Sequence, residues 1–430
     1  MTWQPFLPYN AILCRYNEIA TKGRNRALFE SALADSLKRN LAHAGPIKVI
    51  NEHGRLFVIP AQPKETFTPE DIQLFRDIIP TVPGISSVSP GFMLQPTLED
   101  IENAFDKWFP TVMDAFRAQK PMPQPTYAMR ARRANKQFHL TAEEIEKHFA
   151  GKVLAQNPDL KIDIKNANLV VEVEIRFNRA FLSFERIQGA GGLPAGSGGH
   201  VLALLSGGID SPAACFLMMK RGCTVDFVTF HSEPYTPPEY IDKIVAIARK
   251  LNTYQKRGRL AAVNLLDAQL EIRDKCKSKY RTVLYRRFML RIASQIARIF
   301  GAKALVTGDN LGQVASQTLD NMATIEDASD MMILRPLLTA DKLDAIAIAE
   351  KIGTFDLSSV HIPDSCTVFA PDDPATSTRA YHVKNDEENL NVEELVQKCL
   401  KNTIVINPKT DKRHPLEDLT TNKTFVPQGT

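Results

Sequence analysis

The chain has 430 residues and a formal net charge of +4 at pH 7, with 44% hydrophobic and 24% charged residues. That size and balance fit two or three ordinary globular domains. They permit a polyanionic partner without requiring one. No apolar run reaches the length of a membrane span, and MTWQPFLPYN at the N-terminus lacks the basic start, apolar core and cleavage site of a signal peptide. The six cysteines (14, 215, 223, 276, 366 and 399) are scattered without a CxxC pair, which argues against a disulfide framework or a structural zinc. The expectation is a cytoplasmic protein with free thiols.

The first region opens with a strand-like run, Ala11–Tyr16. A helical stretch follows over Asn25–His43, closed by Gly45, and two short strands flank the turn at Glu52-His53-Gly54. This is a small α+β pattern. Further helices are expected after Thr68, Thr97 and Thr141. Thr68 precedes a Pro suited to the first helical position, and Thr141 with Glu144 fits a capping box. Strands are expected at Gly84–Ser89, Thr126–Arg132 and Leu169–Phe177. The last alternates Val171, Val173 and Ile175 with Glu172 and Glu174, so one face is expected to be wet. A hairpin partner follows at Ala180–Glu185. QGAGGLPAGSGGH (188–200) has the composition of a linker.

Beyond it, apolar strands at Val201–Leu205, Val225–Phe230, Ala261–Leu265 and Ala304–Thr307 alternate with helices. Strands apolar on both faces, joined by helical crossovers, mean a parallel sheet covered on both sides. The expected division is 1–75 and 76–187 for two α+β domains, 188–200 for the linker, 201–405 for the parallel-sheet domain and 406–430 for a polar, mobile tail.

LLSGGIDSP (204–212) lies where the first strand of that sheet ends and a helix begins. Ligands of such sheets bind outside the carboxyl ends of the strands. Gly207 and Gly208 let the backbone approach a ligand and turn its N–H groups inward. Ser211-Pro212 fits an N-cap with Pro at the first helical position, and the helix start adds its positive dipole end. Together these features predict a phosphate site. No Lys follows the glycines, so it is not the GxxxxGK[ST] loop. Asp210 is suited to hold Mg²⁺ or orient phosphates. The bland alternative is a tight strand-to-helix turn with no ligand.

SGGIDS also resembles the pyrophosphatase-loop motif of ATP-dependent adenylating enzymes. RYNEIATKGRNRALFE (15–30), YAMRARRANKQFHLT (127–141), KRGCTVDFVTFHSEPYT (220–236), YRRFMLRIA (285–293), TGDNLGQVASQT (307–318) and RPLLTADK (335–342) extend the likeness to nearly the whole chain up to about residue 405. In these segments the chain resembles the tRNA 4-thiouridine synthetases. The resemblance implies an N-terminal ferredoxin-like domain, a THUMP RNA-binding domain and a doubly wound adenylating domain, an α/β protein overall. It implies a homodimeric enzyme that adenylates the uridine at tRNA position 8 with ATP. Sulfur, delivered as a persulfide by a cysteine desulfurase, then replaces the oxygen; some members also serve the thiazole of thiamine. Longer members end in a rhodanese-like carrier. Nothing after residue 405 is long enough for one, so direct loading or a separate carrier is expected.

The resemblance (for Lys342, Arg286, Gly308, Gln317 and Cys366) and the residues' own places in the pattern together point to site residues. Ser206, Gly207, Gly208, Asp210 and Ser211 form the phosphate cradle, and Lys342 stabilises charge on the phosphates. Leu204, Leu205, Thr229, Phe230, Arg286, Gly308 and Gln317 surround the nucleotide. Cys366, in HIPDSCTVFAP, matches the catalytic cysteine. Cys14, Cys215 and Cys223 read as buried small residues, whereas Cys276 and Cys399 are candidates for resolving the persulfide. Cys276 stands among Arg273, Lys275, Lys277 and Lys279, a setting that can lower its pKa. Arg130, Arg132, Arg133 and Lys136 supply RNA phosphate contacts, and Lys275–Arg291 is a further basic stretch facing RNA. Three rival readings are ATP-dependent thiolation of another tRNA uridine or only of thiamine precursors, an RNA-binding adaptor with a dead nucleotide site, and a THUMP-containing methyltransferase. The glycine loop argues against the last.

Overall fold

The computed structural model describes residues 4–52, 54–119, 124–365 and 368–421. It divides into two units, Met1–Gly192 and Leu193–Thr430.

The first unit runs β1 (Ala11–Arg15), α1 (Arg26–Asn40), β2 (Ile47–Glu52), β3 (Arg55–Pro60), α2 (Pro69–Ile78), β4 (Ser87–Leu94), α3 (Leu98–Gln119), β5 (Thr126–Arg133), α4 (Ala142–Gln156), β6 (Lys161–Ile162), β7 (Leu169–Ile175), β8 (Ala180–Ser183) and β9 (Ile187–Gln188). Local chemistry sets the helix starts. The Thr68 hydroxyl accepts from Asp71 N at 3.2 Å while the Asp71 carboxylate accepts from Thr68 N, and Pro69 opens the helix. Thr141 and Glu144 form the same reciprocal box.

All nine strands belong to one sheet, ordered β2-β3-β1-β4-β8-β7-β5-β6 with β9 beside β4. Strand β4 joins the two α+β parts. Its Ser87–Gly91 stretch pairs with β1, and Phe92–Leu94 pairs with β8. The expected wet face of β7 is not wet. Glu174 is buried against Arg55 and Arg176, and Glu172 pairs with Arg15 and Arg186. Alternation in the sequence reports charge on one face, but here four arginines, two of them from β1 and β3, cover that charge in place of water.

In the second unit five parallel strands carry the site: β10 (His200–Leu204), β11 (Thr224–His231), β12 (Leu260–Asn264), β13 (Ala304–Val306) and β14 (Met332–Leu334). Their order is β14-β13-β10-β11-β12. The chain therefore leaves β10 toward β11 and β12, then returns to its other side for β13. The crevice between the ends of β10 and β13 is the topological switch point, where α/β sheets bind ligands. Helices α5 (Asp210–Lys220), α6 (Glu239–Leu251), α10 (Lys342–Lys351) and α11 (Phe355–Ser359) pack together. A second group comprises α7 (Leu266–Lys275), α8 (Arg281–Phe300), α9 (Leu319–Glu326), α12 (Ala380–Glu387) and α13 (Val392–Lys401). Phe288, Ile292 and Ile296 of α8 are fully buried with Leu202, Val228, Ala261 and Leu305 of the sheet. Each of these Phe, Ile, Leu and Val side chains contributes about 1.5–3 kcal/mol on burial.

Two readings from composition change. The segment 188–200 is tied down along its length. Gly189, Ala190 and Gly191 donate backbone N–H groups to Ser86, Pro80 and Ile85 of the first unit. Leu193, Gly196 and Gly198 donate to Lys220 and Gly222 of the second. The tail is likewise folded as far as residue 421. Strands β15 (Ile404–Ile406) and β16 (Arg413–Pro415) extend the sheet antiparallel from β12, and α14 (Glu417–Thr421) follows. Polar composition misled here because an edge hairpin needs few apolar side chains: Val405, Ile406, Pro408 and Leu416 are the buried ones.

Candidate active site

The exits of β10, β11 and β13 enclose a cleft of about 370 Å³. Leu204, Leu205, Ser206, Gly208, Asp210, Ser211, Phe230, Arg286, Gly308 and Gln317, which the sequence singled out, all line it. Thr229 lies behind the wall, fully buried, with its hydroxyl 3.3 Å from that of Tyr240. Gly207 is buried under Lys243. Helix α5 starts earlier than expected, with Ile209 at the N-cap and Asp210 in the first turn. Ser211 therefore does not cap. Its hydroxyl accepts from Ser206 N at 2.9 Å and lies 3.0 Å from the Ser206 hydroxyl, closing the loop on itself. A glycine loop that runs into a first helical turn at the cleft is the arrangement an anion site requires. Gly308 must be glycine: a Cβ there would stand 2.7 Å from Ser211 N.

The polar wall contains residues that motif reading passed over. Asp309 is buried and accepts from the Thr307 hydroxyl at 2.7 Å and from Arg286, with Arg335 at 3.6 Å. Burial pushes the Asp309 carboxyl up, but Arg286, Thr307 and Arg335 outweigh it and hold the group below the ordinary carboxylate range. Arg286 also donates to the Ser316 hydroxyl at 3.0 Å. Gln317 gives its Nε2 to Asp309 at 3.4 Å, leaving its buried Oε1 without a hydrogen-bond partner at the cleft wall. At the rim, Lys342 Nζ and Gln313 Nε2 each lie 3.0 Å from an Asp210 carboxylate oxygen. Asp309 and Gln313 fall inside TGDNLGQVASQT, and Arg335 opens RPLLTADK, so the signal for them was present.

Three family models match the chain: the ThiI ferredoxin-like domain over 11–89, the THUMP domain over 97–185 and Thiamine biosynthesis protein (ThiI) over 196–392. A probable tRNA sulfurtransferase of Brevibacillus brevis is 38% identical over 411 residues, which is 96% of this chain and 99% of that one. The chain belongs to the tRNA sulfurtransferase family. A second probable tRNA sulfurtransferase, from Acetivibrio thermocellus, is 36% identical over 93% of this chain and 99% of its own. A 4-thiouridine synthetase solved as an RNA complex with bound ATP matches with a TM-score of 0.77 at 32% identity, over 92% of this chain and 99% of that one.

Cys366 lies outside the described residues, but its neighbour Ser365 lines the cleft. The Ser365 hydroxyl is 2.7 Å from that of Ser232, and its carbonyl accepts from Gln269 at 2.8 Å. The five other cysteines of this sulfurtransferase are poorly suited to thiolate chemistry. Cys14, Cys215, Cys223 and Cys399 are buried. Cys276 does not have a lowered pKa. Burial, then Asp386 and Glu387, push its thiol up to about 12, and Lys275 opposes them weakly. Burial likewise brings Cys399 to about 12. Nor does the stretch 275–291 face outward as one basic surface. Arg286 turns into the cleft, while Arg287 and Arg291 both grip Glu387.

In the first unit, Arg130 and Arg132 project from β5 into a groove of about 200 Å³ shared with Arg15, Arg55 and Arg186. Glu172 and Glu174 form part of its floor. Arg133 points elsewhere: its Nη1 donates to the carbonyls of Lys136, Phe138 and Leu140, pinning its own loop. Lys136 is exposed. Among the described residues, no helix is long and apolar enough to cross a membrane.

Proposed function

We propose that this sulfurtransferase converts a tRNA uridine to 4-thiouridine in two half-reactions, activation by ATP and sulfur insertion from Cys366. One observation carries the reading. The phosphate-binding turn, the Asp210–Lys342 pair and the segment ending at Ser365 meet around one cleft at the switch point of the sheet. Its apolar walls suit a purine, and its loop amides suit phosphates. ATP, when bound, supplies the adenylyl group that turns a carbonyl oxygen into a departing phosphate ester. Ser206, Gly207, Gly208 and the first turn of α5 bind the phosphates. Lys342 neutralises charge gathering on them as the uridine oxygen attacks. Arg286 and Gln317, oriented by Asp309, fix the nucleotide. Among the described residues no three potential ligands cluster for a metal. Asp210 alone suits Mg²⁺, which commonly needs only one or two carboxylates beside phosphate oxygens and water.

The second half-reaction needs a persulfide. Its terminal sulfur bonds to C4 of the uracil as AMP leaves. A thiolate then attacks the Cys366 sulfur, forming a disulfide with it as the bond to the uracil-bound sulfur breaks and 4-thiouridine leaves; a second thiol reopens that disulfide. Because Cys276 and Cys399 are held in their high-pKa protonated forms, we assign the attacking thiolate to a molecule outside this chain. A cysteine desulfurase is the proposed donor. tRNA phosphates lie along the arginine groove, whose exposed members are Arg130, Arg132 and Arg186. The test combines tRNA, ATP, Mg²⁺, a desulfurase and cysteine with the protein, followed by mass spectrometry of the nucleosides. 4-Thiouridine that requires ATP is the expected product; its absence overturns the reading.

A further inference from the structure

Lys243 of α6 lies against the glycine loop without belonging to the phosphate cradle. A Cβ on Gly207 would stand 3.2 Å from its Nζ and 3.3 Å from its Cε. The lysine stem occupies the space a side chain at 207 would need. Its ammonium donates to the carbonyls of Ser358, at 3.0 Å, and Val360, at 2.6 Å. Ser358 lies in the last turn of α11, where carbonyls lack intrahelical donors and a cation is favoured. Burial lowers the affinity of this ammonium for its proton, and Asp364 opposes that change. Asp364 and Ser365 both line the nucleotide cleft. One side chain thus supports the phosphate-binding turn on one side and the chain leading to Ser365 on the other.

We propose that Lys243 is a positioning residue for sulfur insertion: it fixes the segment that begins at Ser358 and reaches the cleft at Ser365 to the glycine loop. The proposal rests on the reading of Cys366 as the sulfur carrier. Hydrogen bonds from Lys243 go to the segment, whereas the cradle is built from residues 206–211 and Lys342. Loss of the ammonium therefore spares activation and impairs the step that follows it.

Lys243→Met keeps a stem over Gly207 and removes the donors. With tRNA, ATP and desulfurase present, pyrophosphate release should stay within about threefold of wild type, while 4-thiouridine formed per pyrophosphate falls about tenfold or more, as expected for a misplaced reacting group. Lys243→Arg, which retains donors for both carbonyls, should restore much of that ratio. Equal loss of pyrophosphate release and thiolation, or an unchanged ratio, overturns the proposal. If Lys243→Met does not give a folded protein by its melting curve, Lys243→Gln is read by the same ratio. Cys366→Ser run alongside separates the two ideas. Normal thiolation by that variant defeats the carrier reading, whereas a thiolation-dead Cys366→Ser beside a fully coupled Lys243→Met defeats only the role of Lys243.

Discussion

Lys342 Nζ stands 3.0 Å from one carboxylate oxygen of Asp210 and 3.1 Å from the other. The two residues sit in the first turns of different helices, α10 and α5. An acid suits a helix N-terminus and a cation does not. The pair is also half open to solvent on the lysine side. Such a bridge contributes about 0–1 kcal/mol to stability. Its value to the protein lies in the cleft.

Lys342→Met should therefore lower tRNA-dependent pyrophosphate release by about 10²–10³-fold, the usual cost of losing one charge-stabilising donor. Asp210→Ala should abolish it. Both variants should melt near the wild-type temperature and still bind tRNA. Normal pyrophosphate release by either one would remove the pair from the mechanism.

The arginines of the first unit divide by what they touch. Arg130 and Arg132 line the open groove, whereas Arg133 holds three carbonyls of its own loop. Replacing Arg130 and Arg132 together by Ala should weaken tRNA binding and flatten its dependence on log salt by about 0.7–0.9 for each phosphate that is no longer neutralised. Arg133→Ala should instead cost about 1–3 kcal/mol of stability, from charged hydrogen bonds removed, with the salt slope kept. Filter binding across a salt series, beside melting curves, distinguishes the two. Equal slopes for all variants would make the groove a solvated face.

Sequence patterns carried much of the site because its chemistry is local. The glycine loop, its strand and its helix are contiguous, and the motif residues from Leu204 to Gln317, apart from Gly207 and Thr229, line one cleft. What the pattern could not carry was the meeting of distant segments. Gln269 and Ser232 hold Ser365 across 96 and 133 positions. Arg133 reads as one more cation in a cluster until its acceptors are seen. Glu172 and Glu174 read as solvent-facing because two of the arginines that cover them, Arg15 and Arg55, come from strands far along the chain. The reach of Lys243 to Ser358 spans 115 positions and has no sequence signature.

Glu387 receives both Arg287 and Arg291, and Arg287 is buried. Burial pushes the Glu387 carboxyl up, but the two guanidiniums outweigh it and hold its pKa below the ordinary value. A depressed folded-state pKa stabilises above the unfolded value of about 4.3 and loses that contribution as pH falls through the folded value. Glu387→Gln should cost about 1.5–3 kcal/mol at pH 7, since charge-assisted hydrogen bonds from two guanidiniums are weakened while Arg287 keeps Asp327 as a partner. The gap between wild type and variant should hold from pH 7 to about 5 and narrow below about pH 4. Denaturant melts at several pH values measure it. A gap that widens on acidification would mean the carboxylate is not stabilised by its partners.

The division of labour among the cysteines is the last test. Activation of the uridine needs no thiol, whereas sulfur insertion does. Cys366→Ser should therefore release pyrophosphate with tRNA present and form no 4-thiouridine. A desulfurase supplied with labelled cysteine should place sulfur on the wild-type protein, removable by reduction and absent from Cys366→Ser. Of the rest, Cys14, Cys215 and Cys399 are sealed in the two cores, and burial raises the pKa of each. Cys223 is buried beside Gly198, and Cys276 donates to the Asp386 carbonyl at 3.4 Å. Each of these five replaced singly by Ala should retain label uptake and thiolation when an external thiol is present, with any loss tracking a lower melting temperature. A folded Cys276→Ala or Cys399→Ala variant that takes up label yet stalls before releasing product would return the resolving thiol to this chain. Normal thiolation by Cys366→Ser would instead mean that the enzyme activates uridine for a freely diffusing sulfur source.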